Sequence, residues 1–302
     1  MSERFLVTGA YGCIGAWVVR QLVDEGVAVF AADASTDDRR VRALLDADEL
    51  SRVRFVRADI SRPEDVEALF DLRPTRVIHL AALQVPFCRA DPVRGAQVNV
   101  VGTVAIFTAA MQAGLKTPIV YASSAAAFAA ADAGLDPSGH PATHYGVYKL
   151  ANEETARVFA DENSISSIGL RPYVVYGPGR DQGLTSAPTL AMRAAAQGEP
   201  YTIGYSGVSQ LQYGADAAAA FIAAARASYD GATVVNLPGV TASIDEIVEE
   251  IVRVAPDARI EIDGPPLPFP PELDTSAFAE IVGDVRITPL ADGIAATIVH
   301  FR

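Results

Sequence analysis

Tyr145 and Lys149 stand four residues apart in His144-Tyr145-Gly146-Val147-Tyr148-Lys149, where a helical pattern begins near His144. That spacing puts both on one helical face. An ammonium beside a phenol favours the phenolate and lowers its pKa from about 10 toward the working range. Tyr145 then becomes a usable general acid/base. Upstream, an apolar strand ends in Val120-Tyr121-Ala122-Ser123-Ser124-Ala125-Ala126-Ala127. A serine at a strand's carboxyl end can hold a reacting oxygen and stabilise its developing charge. Tyr-x-x-x-Lys alone occurs by chance in many helices, so its weight depends on the company it keeps.

That company begins at the N-terminus. Phe5-Leu6-Val7 is followed by Thr8-Gly9-Ala10-Tyr11-Gly12-Cys13-Ile14-Gly15 and then by a helical pattern from Ala16. A glycine turn between strand and helix gathers unpaired N–H groups and a positive helix end, which suits a pyrophosphate. Gly9 allows the tight turn, Gly12 lets backbone approach phosphate, and Gly15 lets the helix sit close on the sheet. A loop that merely needs positive φ would use the same residues. Asp33 ends the second strand about 20 residues beyond the turn, where a dinucleotide fold uses an acid for the ribose hydroxyls. It would repel a 2′-phosphate, so NAD is expected over NADP. Arg39 and Arg40 lie past that strand end and read as surface charges. Asp59 in Arg57-Ala58-Asp59-Ile60 either meets the adenine or serves a turn. His79 closes an apolar strand with no partner in sequence and reads as structural, and Leu80-Ala81-Ala82 after it are small enough to lie against a cofactor.

The elements that position these groups alternate. Strands are expected at Arg4–Val7, Val27–Ala32, Val53–Arg57, Val77–Leu80 and Pro118–Ala122, with helices near Cys13–Glu25, Val41–Leu50, Pro63–Phe70 and Pro92–Ala113. Ser61-Arg62-Pro63-Glu64 reads as a capping box with proline at the first helical position. Apolar strands alternating with amphipathic helices imply an α/β fold, a doubly wound parallel sheet with ligands at the strands' carboxyl ends. Past Pro178 the alternation weakens. Thr185–Gly198, Asp216–Ala227, a capped helix from Ser243 to about Val254, and Leu290–His300 look helical. Tyr201–Gly204, Val208–Gln212 and Thr233–Asn236 look like strands, and the proline-rich Gly264–Pro271 must be irregular.

At 302 residues, with half of them hydrophobic and a fifth charged, the chain can bury a substantial core. Its formal charge of −13 argues against sequence-independent nucleic-acid binding and against an anionic membrane surface. Cys13 and Cys88 are the only cysteines and fall in no metal spacing, so neither a disulfide framework nor a metal site is expected. No apolar run is long enough to span a bilayer, and the first strand starts too early to leave room for a signal peptide. A reducing cytoplasm is the expected setting.

With these motifs in place, the chain resembles an extended short-chain dehydrogenase/reductase of the NAD-dependent epimerase/dehydratase type. Thr8–Gly15, His79–Ala82, Ser123-Ser124, Tyr145-x-x-x-Lys149 and Leu170-Arg171-Pro172-Tyr173-Val174-Val175-Tyr176-Gly177-Pro178-Gly179 carry the resemblance over nearly the whole chain. It implies a Rossmann domain over 1–176, with returning segments near 208–236, and a smaller discontinuous substrate domain over 177–302. It also implies that Ser124 is the catalytic serine, Tyr145 the acid/base, Lys149 the lysine that also holds the nicotinamide ribose, and Asn99 an asparagine near the site. Pro172 through Val175 would lie beside the nicotinamide. Together these readings assign NAD to Gly9, Tyr11, Gly12, Cys13, Ile14, Gly15, Asp33, Asp59, Ile60, Leu80, Ala81, Ala82, Asn99, Ala122, Tyr145, Lys149, Pro172, Val174 and Val175.

Departures from the family narrow the reaction. Relatives that dehydrate or decarboxylate sugars carry acids after the catalytic serine, and Ala125 and Ala126 cannot do that work. Nucleotide-sugar enzymes have asparagine where Val174 stands, and an arginine in the region of Val208–Tyr213, which has none. Losing partners for a diphosphate costs several kcal/mol of binding. The reading is therefore an NAD-dependent dehydrogenase/reductase acting on a secondary alcohol or ketone of a small polar molecule (a sugar, sugar acid or hydroxy acid). The alternatives are a nucleotide-sugar 4-epimerase with tightly bound NAD, and a silent NAD-binding sensor. Substrate contacts are assigned to Gln84, Ser123, Ser124, Tyr145, Tyr173 and Arg180, with Arg89 and Arg193 as further cations. The resemblance also implies a homodimer through the helices carrying Asn99 and Tyr145.

Overall fold

A computed structural model describes residues 2–128, 140–267 and 270–302. The chain runs β1 (Arg4–Thr8), α1 (Cys13–Asp24), β2 (Ala28–Asp33), α2 (Arg39–Arg42), α3 (Ala47–Ser51), β3 (Val53–Arg57), α4 (Pro63–Phe70), β4 (Arg76–His79) and α5 (Val85–Ala90). It continues through α6 (Pro92–Ala96), a π-helical turn (Gln97–Val101), α7 (Gly102–Gln112), β5 (Ile119–Ala122), α8 (His144–Asn163), β6 (Ser167–Arg171) and β7 (Val174–Tyr176). The rest is α9 (Ala187–Gln197), β8 (Pro200–Ile203), β9 (Val208–Tyr213), α10 (Gly214–Arg226), β10 (Ala232–Asn236), β11 (Val240–Ser243), α11 (Ile244–Val254), β12 (Arg259–Ile262), α12 (Ser276–Val282) and α13 (Leu290–Phe301).

Seven strands form one parallel sheet in the order β10-β6-β5-β4-β1-β2-β3. The order reverses between β1 and β4, which opens a crevice at the carboxyl ends of those two strands. The two-residue period of a strand explains how both faces are covered. Phe5 and Val7 of β1 point with Val29, Ala31 and Ile78 into a cluster completed by Val18, Val19 and Leu22 of α1 and Phe221 and Ile222 of α10. Leu6 points the other way, into a cluster with Val66 and Leu69 of α4 and Ile106 and Phe107 of α7. A third cluster gathers Val174, Tyr176, Leu211, Ile247, Ile251 and Ile298 around a β11-β9-β7 sheet, with β12 and β8 paired beside it.

Several expectations shift. Val41–Leu50 is two short helices, because Asp46 caps α3 in a reciprocal box with Glu49 and so begins a new helix. Pro63 does start α4, but the residue before it is Arg62 and Ser61 caps nothing; its hydroxyl donates to Asp59. Ser243 forms its box with Glu246 as expected. Strands β6, β7, β11 and β12 and helices α5 and α12 were not read from sequence. Pro268 and Phe269 of the proline-rich stretch lie outside the described residues. Within Pro92–Gln112, 21 residues long, an 18-residue window with a mean hydropathy of 1.2 does reach the length and apolarity of a bilayer span, contrary to expectation. Half of it is buried, since α7 supplies one of the sheet's covering layers.

Candidate active site

The crevice opens into a cavity of about 860 Å³ lined from the carboxyl ends of β1, β2, β4 and β5 and from the segment after β7. The glycine turn forms one end. Gly9 sits at φ +69°, and a Cβ there would lie 2.6 Å from the Ala81 nitrogen, so only glycine lets β1 turn against the end of β4. Gly12 is the N-cap of α1 and offers no side chain to its first N–H groups. Gly15 packs on the turn itself rather than on the sheet: its Cβ would meet the Gly9 carbonyl at 2.2 Å. The exposed N–H groups and the helix end suit a pyrophosphate.

Asp33 is held at the next position along. Its carboxylate accepts from the backbone N–H of Tyr11 (3.0 Å) and of Ser35 (2.9 Å), which leaves lone pairs for a diol. Asp59 accepts from Ser61 and, at 2.7 Å, from Arg94. Burial pushes its pKa up, and these hydrogen bonds overcome that and hold it low. A bare glycine turn, an acid fixed at the ribose position and a long crevice fit NAD.

Arg40 is not a surface charge. It pairs with Asp181 and donates to the Tyr11 carbonyl at 3.0 Å, while Arg39 stays on the surface with Asp37. On the same side, the Pro178 carbonyl accepts from the Trp17 indole at 3.0 Å and faces the Cys13 thiol at 4.0 Å. The segment from Gly177 to Thr185 is thus strapped across the N-terminus of α1. Nothing in sequence joins residues 40 and 181, so this strap was missed.

At the other end, Thr143 caps α8 by accepting from the Gly146 N–H at 3.0 Å. This sets Tyr145 and Lys149 facing the end of β5. Ser124 caps the short turn Ala125–Ala127 and hydrogen-bonds the Tyr145 side chain. Lys149 donates to the Ala122 carbonyl at 2.6 Å, and its Nζ stands 5.5 Å from the centre of the Tyr145 ring. Burial lowers the Lys149 pKa to about 8, against the raising influence of Cys88 and Glu153. Burial also raises that of Tyr145, outweighing the hydrogen bond from Ser124 and the charge of Arg180. The expected lowering of Tyr145 by Lys149 does not appear: desolvation of the phenolate is the larger effect.

The remaining candidates divide. Ser123 lines the cavity, but its hydroxyl is buried and donates to Glu153, which Arg171 also grips through two hydrogen bonds. Gln84, Arg89, Tyr173 and Arg180 line the substrate end. Every residue assigned to NAD from sequence lines the cavity except Asn99 and Val174. Val174 is fully buried in the third cluster. Asn99 holds the Leu83 backbone, accepting from its N–H at 2.7 Å and donating to its carbonyl at 2.9 Å. It is therefore a positioning residue rather than one that touches the reacting atoms. Arg193 does not reach the cavity. His79 is structural, its ring nitrogens meeting Thr8 at 2.7 Å and Thr103 at 3.1 Å. No group of three metal-ligating side chains occurs among the described residues.

A family profile described as the NAD dependent epimerase/dehydratase family matches residues 5–237. The UDP-glucose 4-epimerase of Mycolicibacterium smegmatis is 29% identical over 99% of this chain and 98% of its own length. The crystal structure of the Thermus thermophilus UDP-glucose 4-epimerase in complex with NAD superposes with a TM-score of 0.81 at 26% identity, covering 99% of each chain. The L-threonine dehydrogenase of Clostridium difficile shares the fold, with a TM-score of 0.85 at 19% identity over 99% of this chain and 98% of its own.

Proposed function

The chain belongs to the NAD-dependent epimerase/dehydratase family, and from that premise we propose that it oxidises or reduces a secondary alcohol or ketone carbon of a small polar substrate. NAD, when bound, supplies the acceptor or donor of hydride. Tyr145 takes the hydroxyl proton during oxidation and returns it during reduction. Ser124 holds the same oxygen beside the phenol, and its hydrogen bond favours the phenolate. Lys149, anchored on the Ala122 carbonyl, keeps a positive charge at the ring face. Lys149 is buried while Ser124 and Tyr145 are half-buried in the cavity wall, so a seated substrate would complete the exclusion of water around them.

One observation carries the choice of a small substrate. Among the described residues lining the cavity, none follows Thr185. Ser209, in the region where nucleotide-sugar enzymes carry arginine, is buried in β9 away from it, as Val174 is in β7. A nucleoside diphosphate would find few partners there. The second reading, a nucleotide-sugar 4-epimerase, is favoured by the full-length likeness to the M. smegmatis enzyme. In that case hydride returns to the same carbon and no NADH accumulates.

Absorbance of NADH across a panel of polyols, sugar acids, hydroxy acids and UDP-sugars separates the two. Net NADH supports the dehydrogenase, whereas interconversion of UDP-glucose and UDP-galactose without NADH sinks it. Tyr145→Phe should cut kcat by about 10²- to 10⁴-fold, the span of general acid–base catalysis, with NAD affinity unchanged. An active Tyr145→Phe enzyme would remove Tyr145 from the reaction.

A further inference from the structure

We infer that the substrate is a small hydroxy carboxylate whose carboxylate docks on the Arg180 guanidinium beside the Tyr145 phenol. This rests on the redox reading above and names its substrate class. Among the described residues, the cavity is lined by five cationic side chains: Arg40, Arg89, Arg94, Lys149 and Arg180. Arg40 is neutralised by Asp181 and Arg94 by Asp59, while Lys149 is tied to the Ala122 carbonyl. Arg89 projects from α5 into solvent. Arg180 differs from all four. It is half-buried in the wall, and it has no carboxylate partner among the described residues. Its Nε is fully buried with no hydrogen bond.

Arg180 is nonetheless held in place. Its backbone N–H donates to the Gly177 carbonyl at 3.1 Å, and its Nη2 donates to the Thr185 hydroxyl at 2.9 Å. Gly183, at φ +92°, packs closely between Arg180 and Gln84: a Cβ there would lie 3.4 Å from Nη2 and only 2.5 Å from the Gln84 amide oxygen, so a side chain would crowd both. A guanidinium fixed in a low-dielectric wall without an anion is costly, and an anionic ligand removes that cost. Nε is buried, but the Nη hydrogens that Thr185 does not take can meet a carboxylate at two points. Arg180 and Tyr145 line the same cavity, so one small molecule can carry both the anion and the carbinol. The reaction balances as hydroxy acid plus NAD⁺ giving keto acid, NADH and one proton, which leaves the hydroxyl through Tyr145.

Two measurements test this. In the first, lactate, malate, 3-hydroxybutyrate and gluconate are compared with glucitol, glucose 6-phosphate and UDP-glucose by NADH formation. NADH from at least one carboxylate and none from glucitol or glucose 6-phosphate is expected. NADH from glucitol or glucose 6-phosphate alone leaves the redox reading standing and overturns the carboxylate. UDP-galactose from UDP-glucose without NADH overturns the redox reading itself, and this inference with it. In the second, the NADH-loaded enzyme is titrated calorimetrically with oxalate, which cannot react. Arg180→Met should weaken oxalate by about 10- to 100-fold, the range for a lost charged hydrogen bond, with NADH affinity unchanged. Arg180→Lys, which keeps the charge and loses the fork, should fall between the two and carries the test if the methionine variant does not fold. Oxalate binding equally to wild type and to the variant overturns the assignment.

Discussion

Burial sets the charge state of three groups in this site, and its direction is the same each time: toward neutrality. Lys149 is brought down to about 8, Tyr145 is pushed up, and His79 is brought down to about 3 by desolvation, with Lys149 adding to it. For His79 the consequence is measurable in stability. Its pKa is near 6.5 when unfolded, so between pH 6.5 and pH 3 the unfolded chain takes up a proton that the folded chain refuses. Stability must therefore fall as pH drops through that window, by about 2 kcal/mol at pH 5 from this residue alone. Urea midpoints at pH 7 and pH 5 check it. His79→Leu should be less stable at pH 7, because Thr8 and Thr103 lose a partner. It should also lose less between the two pH values than wild type does, and an equal loss would acquit His79.

Between elements, the closest approach that matters is that of α8 to the turn after β5. Gly146 lies against that turn, and a Cβ there would stand 2.2 Å from the Ala126 carbonyl, a backbone atom that cannot step aside. Gly146→Ala must push the helix carrying Tyr145 away from the turn carrying Ser124. We expect kcat to fall about 100-fold, as small misplacements of reacting groups do, while NADH titration shows nearly unchanged affinity; unaltered kcat would mean that the helix need not sit so close. The sequence placed Tyr145, Lys149 and Ser124 correctly on their elements because helical period and strand ends are local properties. It could not give this glycine a reason, since Ala126 lies twenty residues away. The same limit explains Asn99. Its amide is engaged by the Leu83 backbone, at the end of the loop leaving β4 and sixteen residues away. The π turn that carries Asn99 is likewise a tertiary product, its Asn99 carbonyl accepting from both Thr103 and Asn152.

At the scale of the molecule, the doubly wound sheet was legible from alternation alone. In the second half α9, β8, β9, α10, β10, α11 and α13 were legible as elements, but the sheet of β7, β9 and β11 was not, because those strands pair across long separations and β7 and β11 are too short to carry a period. The same long-range packing produces the strap, where Pro178 meets Trp17 and Cys13, and Asp181 meets Arg40 across the mouth of the glycine turn. Residues of the strap and of the glycine turn line the same cavity, so a dinucleotide seated on that turn would lie inside the strap, with the substrate end beyond it. Traffic through the enzyme should then be sequential: the dinucleotide enters first and leaves last, with substrate and product exchanging in between. Steady-state product inhibition would report this, with NADH competitive against NAD⁺ and the oxidised product not. Arg40→Ala, by opening the strap, should raise the release rate of NADH about tenfold, a modest loss for one partly buried ion pair. If dinucleotide release limits turnover, the same variant will be the faster enzyme.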